Sequence, residues 1–162
     1  MLIHLALLGH LSLPTPWRHV PRPSDPRHFG GWTLVVRTDA FSTGHVCRLT
    51  RPGAEYQRQA VVLHLSPKVD TSQGVYRIDT APPRSVGDDQ ATLAGLGFEL
   101  HNDDLANPSG GLVRIPVGRL LNASAVRVET VAFTASTKFN LGGLRAALDA
   151  AKAAGCQDAD FQ

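Results

Sequence analysis

From Trp32 to Leu141 the sequence is cut into short alternating segments, each closed by Gly, Pro, Ser, Asn or Asp. That cadence limits the fold more than any other feature. "WTLVVRT" (32–38) is rich in β-branched and aromatic residues. "DAFSTG" turns the chain, and "HVCRLT" (45–50) follows as a hairpin partner in which Val46 and Cys47 face opposite sides. "RPGAE" turns again. "YQRQAVVLHLS" (56–66) then reads as one strand with Val61, Leu63 and Leu65 on one face and Val62 and His64 on the other. "GVYRIDT" (74–80) alternates Val75, Arg77 and Asp79 against Tyr76 and Ile78, and "PPRSVGDD" reads as a turn. "LAGLGFELH" (93–101) suits a short helix or a strand, with strand favoured at its end. "LVRIPVGRLLNAS" (112–124) reads as strand, Pro116, then a helical turn that buries Leu120 and Leu121. "AVRVETVAF" and "TKFNL" are two further strands. About seven strands at roughly ten-residue spacing, without β-α-β alternation, predict a mainly β fold: an antiparallel β-sandwich or open barrel.

A C-terminal α-helix is expected to pack on that shell. In "LGGLRAALDAAKAAGC" Leu144, Leu148 and Ala151 fall on one stripe with Ala147 beside them. Arg145, Asp149 and Lys152 take the other side, with an i,i+4 pair between Arg145 and Asp149. The many alanines permit close approach to a sheet. Gly155 stands at the C′ position, and Cys156 begins what reads as an extended tail.

The N-terminal residues belong to a different regime. Leu2 to Leu13 is an apolar run broken by His4, Gly9, His10 and Ser12. It is shorter than the roughly 20 residues of a bilayer span but matches the 7–15 residues of a signal h-region. No Lys or Arg precedes it and no A-x-A site follows, so an N-terminal strand or apolar arm packed on the core is the alternative. "PTPWRHVPRPSDPRHFGG" (14–31) is too proline-rich for an element and reads as a linker or extended arm. The organisation expected is a signal-like segment plus arm over 1–31 and a single β-rich domain over 32–162. One domain suits a chain of 162 residues.

Only Cys47 can partner Cys156. In an exported chain the two are expected to be bridged, whereas in a cytosolic one both would be free buried thiols. The bridge and the export signal therefore imply one another, and the expected location is periplasmic or secreted.

The block "LVRIPVGRLLNASAVRV…TKFNLGGLRAALDAA", with the hairpin "WTLVVRTDAFSTGHVCRL", resembles the invasion-associated locus B family and related bacterial envelope proteins. The shared pattern is a "v-x-v-P" step, a short leucine helix, a strand, and "f-x-L-x-G-hhx-AL" opening the last helix. The resemblance covers about half the chain and rests on apolar spacing. It implies an exported, mostly β domain with a role in the cell envelope and no established catalysis.

Chemical motifs are sparse. The seven histidines, His4, His10, His19, His28, His45, His64 and His101, show no H-x-x-x-H or H-E-x-x-H spacing, and there is no C-x-x-C. No dedicated metal site is expected; His19 and His28 with a carboxylate could hold an adventitious ion. Asn102, Asp103, Asp104 and Asn107 could offer oxygens to calcium, but they lack the EF-hand order and equally compose a turn. No serine stands in G-x-S-x-G, and the glycines of 95–97 and 110–111 precede no P-loop lysine, so no cofactor is expected. The adjacent acid pairs Asp88/Asp89 and Asp103/Asp104 lie in turns. Cys47 and His45 share a strand face and could form a thiol dyad, which a disulfide would remove.

The net charge of +2 is too small and too dispersed to imply nucleic acid. Arg37, Arg48, Arg58, Arg77, Arg114 and Arg127 nevertheless recur on or beside the strands. If several share a face, they form a cationic surface for a protein or glycan partner in the envelope. If not, they are ordinary outward positions. The reading that follows is a non-enzymatic binding or inhibitor-like module, oligomeric state open. The alternative is a small hydrolase of unrecognised type centred on His45, His64 or His101.

Overall fold

A computed structural model describes residues 25–38, 44–65, 70–71, 73–98, 111–130 and 136–161. The fold is mainly β, with two antiparallel sheets and a C-terminal helix around one core, and it is open rather than closed into a barrel. The larger sheet has the order β1-β2-β3-β4-β5-β8, built from β1 (Arg27–Phe29), β2 (Trp32–Thr38), β3 (His45–Arg51), β4 (Ala54–Gln57), β5 (Ala60–His64) and β8 (Leu112–Pro116). The smaller has the order β10-β9-β6-β7, from β6 (Val75–Ile78), β7 (Arg84–Ser85), β9 (Ala125–Glu129) and β10 (Thr137–Asn140). A 3-10 turn (Val86–Asp89) leads into α1 (Gln90–Gly95), and α2 (Leu144–Ala153) closes the fold against β1 and β2.

Period-2 alternation places the core. Trp32, Leu34 and Val36 on β2 point inward, as do Cys47 and Leu49 on β3 and Val61 and Leu63 on β5. From the small sheet Tyr76, Val126, Val128 and Phe139 join the same cluster, and α2 contributes Leu144, Ala147 and Ala151. The two alanines are fully buried, as their small size permits where a helix lies close to a sheet. Leu120 is buried as expected, while Leu121 is only half-buried.

Three local readings change, one left open is decided in part, and the segment "PPRSVGDD", read as a turn, carries β7 and a 3-10 turn. The arm before Trp32 contributes strand β1, in register with β2 from Arg27↔Leu34 to Phe29↔Trp32. The segment 56–66 is not one strand: β4 begins at Ala54, and a two-residue turn separates it from β5. That turn is Arg58–Gln59, with φ of 42° and 65°. Such hairpins normally signal themselves with Asn-Gly or Asp-Gly, and left-handed φ is strained in other residues. Here long-range bonds hold it: Arg58 Nη1 donates to Gly97 O (3.0 Å) and Val117 N to Gln59 O (2.7 Å). Within 93–101, residues up to Gly95 are helical, and the expected strand end falls outside the described residues. The tail after Cys156 is structured: a 3-10 turn (Asp158–Asp160) follows, and Phe161 bridges to Cys47.

The double glycine before α2 answers a steric demand. Gly143 has φ of 90°, and a Cβ there would collide with the carbonyl of Phe29 and crowd Gly30 N. The β1–β2 turn and the start of α2 are thus in backbone contact, which only hydrogen at Cα allows. Gly142 is unhindered, its nearest neighbour being Asn140 Oδ1 at 3.9 Å. Gly143→Ala is therefore expected to destabilise the protein by at least about 2 kcal/mol, through clash and left-handed strain, whereas Gly142→Ala changes it by less than about 1 kcal/mol. Paired urea titrations of the two variants check the difference.

Candidate functional site

The two cysteines are joined. Cys47 and Cys156 form a disulfide with Cα atoms 6.2 Å apart, 109 residues apart in sequence. The helix end aims the second sulfur. Cys156 N donates to Ala151 O and Gly155 N to Lys152 O, both at 3.0 Å, the paired bonds of a Schellman turn, with Gly155 at φ 87°. A Cβ on Gly155 would press on the His45 ring at 3.1 Å. Beyond the bridge, Tyr56 and Phe161 meet edge to face at 4.7 Å, and Tyr56 Oη donates to Asp158 Oδ1 at 2.7 Å.

The bridge removes the thiol of the Cys47–His45 dyad. The described histidines, His28, His45 and His64, do not converge either. His45 lies on the Cys47 side of β3 with its Nδ1 buried and unpartnered. His64 lies on the outer face of the large sheet, 3.4 Å from Glu55. His101 and the calcium candidates Asn102, Asp103, Asp104 and Asn107 fall outside the described residues, as does His19. His28 is exposed and meets Thr33 Oγ1 through Nδ1 at 3.1 Å. Among the described residues no three His, Cys, Asp or Glu side chains are placed to hold a metal ion.

An open cleft of about 690 Å³ lies between α2, the tail and the β4–β5 turn. Leu121, Leu148 and Val117 line it with Tyr56, Gln59 and Asp158. Its described lining contains no histidine and offers no nucleophile–base pair.

The six arginines separate into groups. Arg37, Arg48 and Arg114 occupy the outer face of the large sheet, as the registers Arg37↔Val46, Val35↔Arg48 and Val62↔Arg114 require. Arg37 and Arg48 are exposed; Arg114 is half-buried and stacks on Phe98, 5.7 Å from the ring centre. Arg58 is held in the β4–β5 turn. Arg77 and Arg127 lie on the other sheet, directly opposite one another and exposed. Lys138, which the strand pattern did not single out, faces Arg127 from β10. Only pairing register, invisible in a linear sequence, could have revealed it. Arg145 donates to Asn122 Oδ1 at 2.6 Å, where an Asp149 pair had been expected.

Sequence reading also missed a buried polar cluster. Asp89, within a segment read as a turn, is fully buried; it accepts from Tyr76 Oη at 2.5 Å and pairs with Arg119 Nη2 at 2.7 Å. Its neighbour Asp88 caps the 3-10 turn through Ser85 N. Burial, then the hydrogen bond and charge of Asp89, push the Tyr76 hydroxyl up to about 12 from 10.0, against the pull of Arg119 and Arg84. Burial and Asp158 likewise raise Tyr56. The Tyr76–Asp89–Arg119 cluster is closed around a fully buried carboxylate. Tyr56 and Asp158 stand in the cleft wall, where burial and the carboxylate hold the phenol protonated, so it acts as a donor that ties the tail to β4 and not as a nucleophile.

No protein-family model matches this chain, and neither the curated proteins nor the solved structures contain a match to it. The likeness to the invasion-associated locus B pattern therefore stands on the quoted residues alone.

Two outcomes follow. Replacing both cysteines by serine should lower unfolding free energy by about 4 kcal/mol in the chain-entropy account of a loop this long, measured by denaturant titration with and without reductant. Both tyrosines carry raised folded values, so the stability they contribute is complete below pH 10; the Tyr76 share declines as pH rises from the unfolded 10.0 through about 12, and the Tyr56 share, raised further, is lost at still higher pH. Tyrosinate absorbance should accordingly lag behind that of the denatured chain and rise together with loss of near-ultraviolet circular dichroism.

Proposed function

We propose that this chain is an exported cell-envelope β-sandwich domain that works as a non-enzymatic binding or inhibitor-like module. The observation that carries the reading is the pair of cationic sheet faces. Arg37 and Arg48 on one face and Arg77 and Arg127 on the other are exposed, on rigid strands, and unneutralised among the described residues. Arginines held this way present planar, permanently charged donors to a carboxylate or phosphate. The bridge between Cys47 and Cys156 supports export, because such bonds persist chiefly in oxidising compartments. Among the described residues no helix is long and apolar enough to cross a membrane. The apolar segment at Leu2–Leu13 and the resemblance to envelope proteins point the same way.

The test is expression of the full chain in a bacterium with an intact export route, followed by fractionation. Periplasmic protein should have a mass lacking the N-terminal apolar segment and should show no reactive thiol until reduced. A cytoplasmic protein retaining Met1 with two titratable thiols overturns the reading. Capture of an envelope protein or glycan on the immobilised domain should weaken when Arg37 and Arg48, or Arg77 and Arg127, are changed to Gln.

A further inference from the structure

Three cations stand in register across the outer face of the small sheet. Arg127 on β9 lies directly opposite Lys138 of β10 on one side and Arg77 of β6 on the other. All three are exposed. Neighbouring strands lie about 4.7–4.9 Å apart, so the row runs roughly 10 Å across the strands. Like charges placed directly opposite one another destabilise a sheet. Among the described residues nothing offsets the cost: none of the three makes an ion pair or a side-chain hydrogen bond. Glu129 shares the face but sits one pair further along, opposite Val75. The Asp79 carboxylate is already engaged, accepting from the backbone N–H groups of Ser124 and Ala125 at 2.9–3.1 Å. An exposed row of three cations on paired strands that makes no ion pair among the described residues is suited to an external anion.

We propose that the row Lys138–Arg127–Arg77 binds an acidic polysaccharide, a polyuronate-like chain lying across the strands; the proposal rests on the binding-module reading above and names its ligand. The spacing is the argument. One sugar residue of an extended chain is about as long as one strand spacing, so a trisaccharide spans the three cations and brings its carboxylates within their reach. The surroundings disfavour other polyanions. The neighbouring positions on this face are Asn140, Ala125, Asp79, Glu129, Val75 and Ser85. None is aromatic, so bases of a single-stranded nucleic acid have nothing to stack on. Among the described residues this face carries no exposed large apolar side chain to enter a bilayer. The face, with strands of two to five residues, is smaller than a stable protein–protein contact requires, about 800 Å² per partner.

The test is calorimetric titration of the full, oxidised chain with trigalacturonate, set against galacturonate, neutral maltotriose, triglutamate and a short single-stranded DNA. Trigalacturonate should bind at least about tenfold more tightly than the monomer, because three charges are engaged at once. Binding should weaken as salt rises. Arg127→Gln should lose at least about fivefold, the central residue touching both neighbours' share of the ligand, while Lys152→Gln, exposed on α2 away from both cationic faces, leaves binding unchanged. Without ligand, Arg127→Gln should melt at or above the temperature of the parent, since it relieves repulsion, and this doubles as proof of folding. Trigalacturonate should raise the melting temperature of the parent and not that of the variant. Full trigalacturonate binding by an Arg77→Gln, Arg127→Gln, Lys138→Gln triple variant overturns the proposal. So does equal affinity for monomer and trimer, or for triglutamate or DNA. The two readings fail separately: an exported, bridged chain that does not bind trigalacturonate ends this proposal and leaves the module, whereas an unexported chain that binds trigalacturonate through the row does the reverse.

Discussion

The covalent link from β3 to the end of α2 organises the C-terminal fifth of the chain. Cys47 lies on the inward face of a strand, so its sulfur points into the core, and the partner must be delivered there from above. The Schellman turn at Gly155 makes that delivery, and Phe161 then lies along Cys47 and against Tyr56. Helix, bridge and tail therefore form one clamp over the sheet. At the other end of α2, backbone contact between Gly143 and Phe29 seats the helix on the β1–β2 turn. The helix is thus tied at both ends, by a bond and by a fit that no side chain could share.

A second constraint sits under the small sheet. Burying Asp89 requires partners, since an isolated carboxylate in the interior is far more costly than a paired one. Tyr76 and Arg119 supply them, and they come from β6 and from the 3-10 turn after β8. The cluster consequently ties the small sheet, the turn before α1 and the edge of the large sheet into one registered unit. That rigidity matters for the cationic faces, because binding to a fixed row loses less conformational entropy than binding to mobile side chains on loops.

Much of the architecture was legible in the segments themselves. Alternation in "WTLVVRT", "HVCRLT" and "AVRVE" identified strands and their inward residues, and the stripe Leu144–Ala147–Ala151 identified the buried side of the helix. The failures were of one kind. The Arg58–Gln59 turn carries no glycine or asparagine to announce it; tertiary hydrogen bonds, donated by Arg58 to Gly97 O and by Val117 N to Gln59 O, supply what local propensity does not. Asp89 looked like a turn residue because its role depends on Arg119, thirty positions away. Strand β1 was hidden among prolines because three residues are too few to show a period.

The binding surfaces divide in the same manner. The sequence alone determined that arginines alternate with apolar residues, that only two cysteines exist to be joined, and that a small-residue helix closes the chain, because period and composition are properties of neighbours along the chain. Which cations meet was decided only in three dimensions. Arg77, Arg127 and Lys138 form a row because β6, β9 and β10 pair in one particular register, and a shift of one residue would send each side chain to the opposite face. Arg37 and Arg48 went to the other sheet for the same reason. The alternation in each segment says which residues share a face, but which strands become neighbours, here β6 beside β9, is decided by packing of the buried faces in three dimensions.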